Sequence, residues 1–191
     1  MEIKEAIFGR RSVRKFTSDP VSEQDIQDIL TAGLAAPSAI NLQPWFFVVV
    51  RDEEARKDLL NILGKGLPKN RAELSARFPK NPEVVEESLG FIGSLGNAPV
   101  CILAFLLKKD YEDRLSSMQS VAAAIENMLL MAYGKGLGSC WLTAPLQANL
   151  APEVQARFAP DKGEFLAFIA LGHPAQSPAM PRRKDERFVI I

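Results

Sequence analysis

The chain has 191 residues, 47% of them hydrophobic, and its 23 Lys+Arg are matched by 23 Asp+Glu. Zero formal net charge argues against a dedicated nucleic-acid or membrane-surface binder, which depends on a sustained positive field. One histidine and two cysteines cannot supply a His- or Cys-rich metal cage, so no metal site is expected.

The length suits one domain, residues 1–191, with a substantial core. No run approaches the roughly 18 apolar residues of a membrane span, and the first residues lack an apolar leader. Cys101 and Cys140 form no CxxC and sit in apolar surroundings, which predicts free buried thiols and a reducing, cytoplasmic location.

In chain order, Ile3, Ala6 and Ile7 fall at helical spacing and predict a short helix over 2–9 ended by Gly9. A second helix starts at Ser22, an N-cap residue followed three positions later by Asp25. It carries Ile26, Ile29, Leu30, Gly33 and Leu34 as a buried stripe until Pro37. WFFVVV at 45–50 is a continuous β-branched and aromatic run suited to an interior strand, and 52–63 returns to helical spacing. Residues 64–97 hold Pro68, Pro79 and Pro82. They predict little beyond short helices over 83–95 and a covering excursion.

Residues 99–107 (PVCILAFLL) predict a second buried strand. Residues 117–133 predict the longest helix, apolar or small around much of its circumference, with Ala122, Ala123 and Ala124 allowing close approach of another helix. Gly134, Gly136 and Gly138 break it before a strand at 139–142, and 165–171 predicts another. His173 follows as a strand-end structural residue, and 188–191 could form a terminal strand. Helices between apolar strands indicate an α/β or α+β sandwich.

Three patterns carry chemistry. Residues 10–15 place three guanidiniums, one ammonium and a hydroxyl side by side, and guanidinium forks are suited to phosphate oxygens. In an extended segment Arg10, Ser12 and Arg14 would share a face while Arg11 points elsewhere. A second basic knot, Arg182, Arg183, Lys184 and Arg187, lies at the other end, so both termini are expected to meet one anion, a phosphate cofactor. From charge alone, two solvated patches is the competing reading.

The second pattern is PSAINLQPW at 37–45, a proline-bracketed loop offering a hydroxyl and two carboxamides that can donate and accept to a heteroaromatic edge. A plain polar connection is its competing reading. The third, GLGSCWLTAP at 136–145, has glycines that permit close backbone approach to a ligand. No GxSxG elbow or Walker-type loop is present, so a cofactor rather than a protein nucleophile is expected to carry any reaction.

RRSVRKF, PSAINLQPW, GLGSCWLTAP and RRKDERF, in this order, resemble the FMN-dependent nitroreductase family over essentially the full length. The resemblance implies an α+β fold, a three-layer α/β/α sandwich with a mixed, mainly antiparallel sheet completed by the partner's C-terminal segment. It implies an intertwined homodimer with FMN at the interface and NADH or NADPH as co-substrate. Electrons would pass through flavin N5 to a nitroaromatic, quinone or related acceptor by ping-pong exchange.

Carried onto this chain, Arg10, Ser12 and Arg14 match the positions contacting the FMN phosphate, ribityl chain and pyrimidine edge, with Arg11 in the same motif. Arg14 would tune the flavin electrostatically. Pro37, Ser38, Ala39, Asn41 and Gln43 match the loop that reaches FMN from the partner subunit. Thr143 and Ala144 match the backbone beside the ring. Arg182 and Arg183 match the C-terminal phosphate-binding basics, with Pro181 altering the usual spacing and leaving Lys184 as a further candidate. Asn70 and Arg71 are candidates for a central Asn/Lys pair.

Alternatives remain at this stage. A specialised flavin reaction on the same fold, reductive dehalogenation or oxygen-dependent chemistry, would be decided by residues 64–97. A non-catalytic flavin carrier would hold flavin yet stay oxidised with NADH or NADPH.

Overall fold

A computed structural model describes residues 2–107 and 113–191. Its helices are α1 (Ile3–Gly9), α2 (Glu23–Leu34), α3 (Glu53–Arg77), α4 (Pro82–Ser94), α5 (Arg114–Gly134), α6 (Ala144–Gln147) and α7 (Ala151–Phe158). Its strands are β1 (Trp45–Val50), β2 (Val100–Leu106), β3 (Gly138–Leu142) and β4 (Glu164–Gly172), in the spatial order β1-β2-β4-β3. All neighbouring strands run antiparallel, and an isolated parallel bridge, Ser12 to Ser139, adds the N-terminal segment beside β3.

The unbroken apolar run of β2 follows from burial on both faces. Cys101, Leu103 and Phe105 point into a core shared with α3, α4 and α7, while Val100, Ile102, Ala104 and Leu106 point into one shared with α2 and α5. Phe105 and Phe165 meet edge to face at 5.7 Å in the first core. On β4 the alternation slips: Phe165 and Phe168 belong to the first core, and both Leu166 and Ala167 to the second. The cause is a bulge, since the register shifts between Ala104 and Phe105. The result is the three-layer α/β/α sandwich expected.

The Ser22 cap holds as expected: its Oγ accepts from Asp25 N–H at 3.1 Å and donates to the Asp25 carboxylate at 2.7 Å. Gly33 packs α2 tightly on α5, where a Cβ would come within 2.2 Å of Met128. The antiparallel α2–α5 layer is further joined by Lys135, which bridges Asp25 at 2.8 Å and Asp28 at 2.5 Å.

The excursion differs from expectation. α3 is the longest helix at 25 residues against 21 for α5, and it continues through Pro68 instead of ending near 63. Pro68 and Gly64 are both exposed, so the carbonyl that loses its N–H partner faces water, and α4 packs along the extended helix. Residues 83–95 form mainly one helix, α4, with Pro82 at its first turn. Arg71 ties the pair together through Glu86. α7 was not anticipated; Pro152 sits in its first turn, where a missing N–H costs nothing.

Residues 188–191 form no strand and are fully exposed. A strand there has no neighbour within this protomer to pair with. Among the described residues no helix is long and apolar enough to cross a membrane.

Candidate functional site

The basic strip at 10–16 is held by backbone hydrogen bonds to β3, to the turn after α4 and to the end of β4. Val13 N–H donates to Ser139 O at 2.9 Å, Phe16 N–H to Gly96 O at 2.9 Å, and Thr17 N–H to His173 O at 3.0 Å. Ala175 N–H closes the other side on Lys15 O at 2.9 Å. Val13 and Phe16 are buried as anchors, leaving Arg14 exposed between them. His173 thus acts through its backbone, as a strand-end structural residue.

Two glycines make this seating possible. A Cβ on Gly96, whose φ is +61°, would lie 2.1 Å from Arg14 O, and one on Gly138 would lie 2.9 Å from Val13. The strip passes the end of β3 with no room for a side chain beneath it.

Arg10 and Arg11 line a cavity of about 730 Å³ together with Tyr133, Gly136, Gly138 and tail residues 176–180. Arg10 Nε lies 3.3 Å from a Glu126 carboxylate oxygen on α5. Arg11 does not point away as an extended strip requires. The segment forms only isolated bridges at Ser12 and Phe16, and Arg11 Nη1 turns back to Phe8 O at 2.8 Å and Arg10 O at 2.7 Å, capping the end of α1. Its buried Nε has no hydrogen-bond partner. Arg10 and Arg11 together place two cationic side chains on the cavity wall, which fits an anionic ligand such as a phosphate.

Arg14 lines a second cavity of about 320 Å³ with Thr143, Ala144, Cys140, Trp141, Phe91 and Arg77. Its guanidinium carbon stands 6.0 Å from the Phe91 ring centroid. The strip therefore runs from one cavity to the other. That arrangement suits a phosphate at one end and a flat ring at the other. Burial raises the Cys140 thiol above its ordinary range, against the opposing pull of Arg14 and a Ser12 hydrogen bond, and pushes Cys101 to about 12. Neither thiol is poised as a nucleophile.

The loop at 37–44 is strained and wired internally. Ile40, Asn41 and Gln43 have φ of 45°, 58° and 49°. Ser38 Oγ accepts from Gln43 N–H at 3.0 Å, Gln43 Nε2 donates to Asn41 Oδ1 at 3.0 Å, and Ala39 N–H donates to Ser120 Oγ at 3.2 Å. Pro37, Ser38 and Ala39 border a shallow cavity on α5 that no residue of the basic strip touches. The loop feeds β1 while Thr143 follows β3, and these strands occupy opposite edges of the sheet, about 14 Å apart at the usual spacing. One protomer does not bring the two halves together.

Nor does it bring the two basic ends together. The tail reaches the larger cavity as far as Met180, but Arg182 and Arg183 lie just beyond it, exposed, with Arg182 3.9 Å from Asp185. Asn70 and Arg71 are not at the site. Asn70 is buried beside Gly66 with an unpartnered Oδ1, and Arg71 is committed to Glu86. Sequence reasoning also missed Arg77 and Phe91, which reach the Arg14 cavity from α3 and α4.

The profile of the Nitroreductase family matches residues 7–173. The chain belongs to the nitroreductase family. It is 28% identical over 188 residues to a Bacillus subtilis protein whose name carries the NAD(P)H nitroreductase activity, covering 97% of this chain and 91% of that one. A Desulfovibrio desulfuricans protein solved in complex with FMN superposes with a TM-score of 0.71 at 33% identity, covering 97% of this chain and 93% of that one. A BluB-like flavoprotein from Clostridium difficile 630 gives 0.73 at 31% identity, covering 96% and 95%.

Proposed function

We propose that this nitroreductase-family protein is an FMN-dependent oxidoreductase. It takes electrons from NADH or NADPH and passes them to a nitroaromatic, quinone or related small acceptor, acting as a homodimer. One observation carries the reading: a single basic strip, bridged to β3, joins a cavity lined by Arg10 and Arg11 to a cavity bordered by Arg14, Thr143 and Ala144.

In this reading Arg10, Arg11 and Ser12 hold the phosphate and ribityl chain, and Arg14 holds the pyrimidine edge. The backbone of Thr143 and Ala144 borders the ring. Arg182 and Arg183 close over the phosphate from the tail, and Pro37, Ser38, Ala39, Asn41 and Gln43 arrive from the partner subunit. The chemistry that FMN supplies when bound is two-electron exchange with donor and acceptor in turn. The protein contributes binding, orientation and charge. Arg14 stabilises negative charge on the pyrimidine edge, and the closely packed strip keeps it in place without reorganisation.

The homodimer is supported by the separation of the two half-sites and by apolar surface left open. Trp141 and Met131 are each 37% exposed beside the strip and on α5, and 188–191 are bare. Those terminal residues would complete the partner's sheet.

The test is an absorption spectrum of the purified protein followed by anaerobic titration with each nicotinamide. A yellow protein that bleaches is expected, and one that stays oxidised is a flavin carrier instead. Arg14→Ala is expected to lower flavin affinity and turnover about tenfold or more. Unchanged occupancy and turnover would count against the assignment.

A further inference from the structure

The smaller cavity holds a second cation that the flavin assignment leaves unused. Arg77 is the last residue of α3 and lines the cavity with Arg14. A basic residue complements the C-terminal end of a helix dipole, which accounts for Arg77 as a residue type. It does not account for two guanidiniums bordering one small space. None of the lining residues is acidic, and among the described residues neither Arg14 nor Arg77 forms an ion pair.

The rest of the wall is aromatic and hydrogen-bonding. Phe91 and Trp141 supply ring surface, and Ser88, Thr143 and Gln147 supply hydroxyls and a carboxamide. Arg14 and Arg77 are both exposed, so water screens their mutual repulsion, and an anionic group beside Arg77 finds a guanidinium fork that no carboxylate of the cavity wall occupies.

We propose that Arg77 is a specificity-determining residue that selects acceptors in which an aromatic ring carries a carboxylate. This rests on the reading of the cavity as the ring end of a flavin site, in which the flavin takes the Thr143 and Ala144 side and leaves the Arg77 and Phe91 side to the acceptor. The carboxylate pairs with Arg77, and the ring lies against the aromatic part of the wall. Arg14 keeps its role at the cofactor edge and adds to the local positive field. A neutral ring of the same shape gains nothing from Arg77.

The test compares wild type with Arg77→Gln and Arg77→Lys, using p-nitrobenzoate and p-nitrobenzamide as matched probes. Equilibrium dialysis reads binding to the flavin-loaded protein, and steady-state rates give KM for each probe and for NADH and NADPH. Arg77→Gln is expected to weaken p-nitrobenzoate about tenfold or more in both Kd and KM. Arg77→Lys should recover part of the loss. Affinity for p-nitrobenzamide, KM for the nicotinamides and flavin content per protomer should stay within about twofold.

Equal losses for both probes, no loss for either, or a loss confined to the nicotinamides would each overturn the proposal. A wild type that binds no flavin would instead sink the oxidoreductase reading. The same dialysis run on that flavin-free protein would still show whether Arg77 discriminates between the probes.

Discussion

The basic segments 10–16 and 182–187 share a composition and differ in how the backbone holds them. The first is hydrogen-bonded to Ser139, Gly96 and His173 and wedged over glycines that leave no slack. The second is exposed beyond Met180, its side chains touching little besides Asp185. A prearranged cation acts on a ligand without an ordering cost, whereas a free tail gives up chain entropy when it closes. The strip is therefore expected to set where the ligand lies, and the tail to add affinity.

That contrast can be broken most forcefully at Gly96. Gly96→Ala puts a methyl 2.1 Å from Arg14 O at a φ of +61°. It should destabilise the fold by about 2–4 kcal/mol in urea unfolding and lower flavin affinity as the strip is displaced. An unchanged midpoint would mean that the strip is not pinned there.

The double substitution Arg182→Ala with Arg183→Ala should act the other way round. Stability should stay within about 0.5 kcal/mol, since exposed side chains are removed. Flavin affinity should fall several-fold at low salt, and the difference should fade at high ionic strength, where exposed charges are screened. A loss as large as that of Arg14→Ala, independent of salt, would make the tail an equal partner in the site.

The smallest effect concerns a structural pairing away from both segments. Hydrogen bonds from Lys135 hold the carboxyls of Asp25 and Asp28 below their ordinary 3.8, and the same bonds raise Lys135 above 10.5. Carboxyls depressed on folding stabilise above the unfolded value, and the gain is lost as pH falls through the folded one. The raised amine stabilises below 10.5, and its gain is lost as pH rises through the higher folded value. Lys135→Met should therefore lower stability slightly between about pH 4 and pH 10.5, where the pairing is charged, and flatten the fall in stability at either end of that window. An unaltered pH profile would show that this half-buried cluster contributes nothing.

Much of the frame was legible because each feature depended on near neighbours in the chain. The runs at 45–50, 99–107 and 165–171 read as buried strands since helices cover both sides of the sheet. The Ser22 cap is a three-residue affair. The excursion was illegible because Pro68 signals a break that solvent exposure makes tolerable, and only packing of α3 on α4 shows that the helix continues. Arg77 carried no local signal at all, being one basic residue ahead of Phe78 and Pro79. Arg11 departs from the alternation expected because that alternation holds for a regular strand, and this segment makes only isolated bridges at Ser12 and Phe16.

By itself the chain's order of residues determined the four strands, the helices outside 64–97 and 144–158, and where cations cluster. Periodicity, capping and charge density act over a few positions, so they can be read one stretch at a time. The tertiary structure alone decided which cations share a cavity, that the loop at 37–44 sits across the sheet from Thr143, and that the basic tail stops short of the strip. Those relations join residues dozens of positions apart, and they exist only once the antiparallel sheet has chosen its strand order.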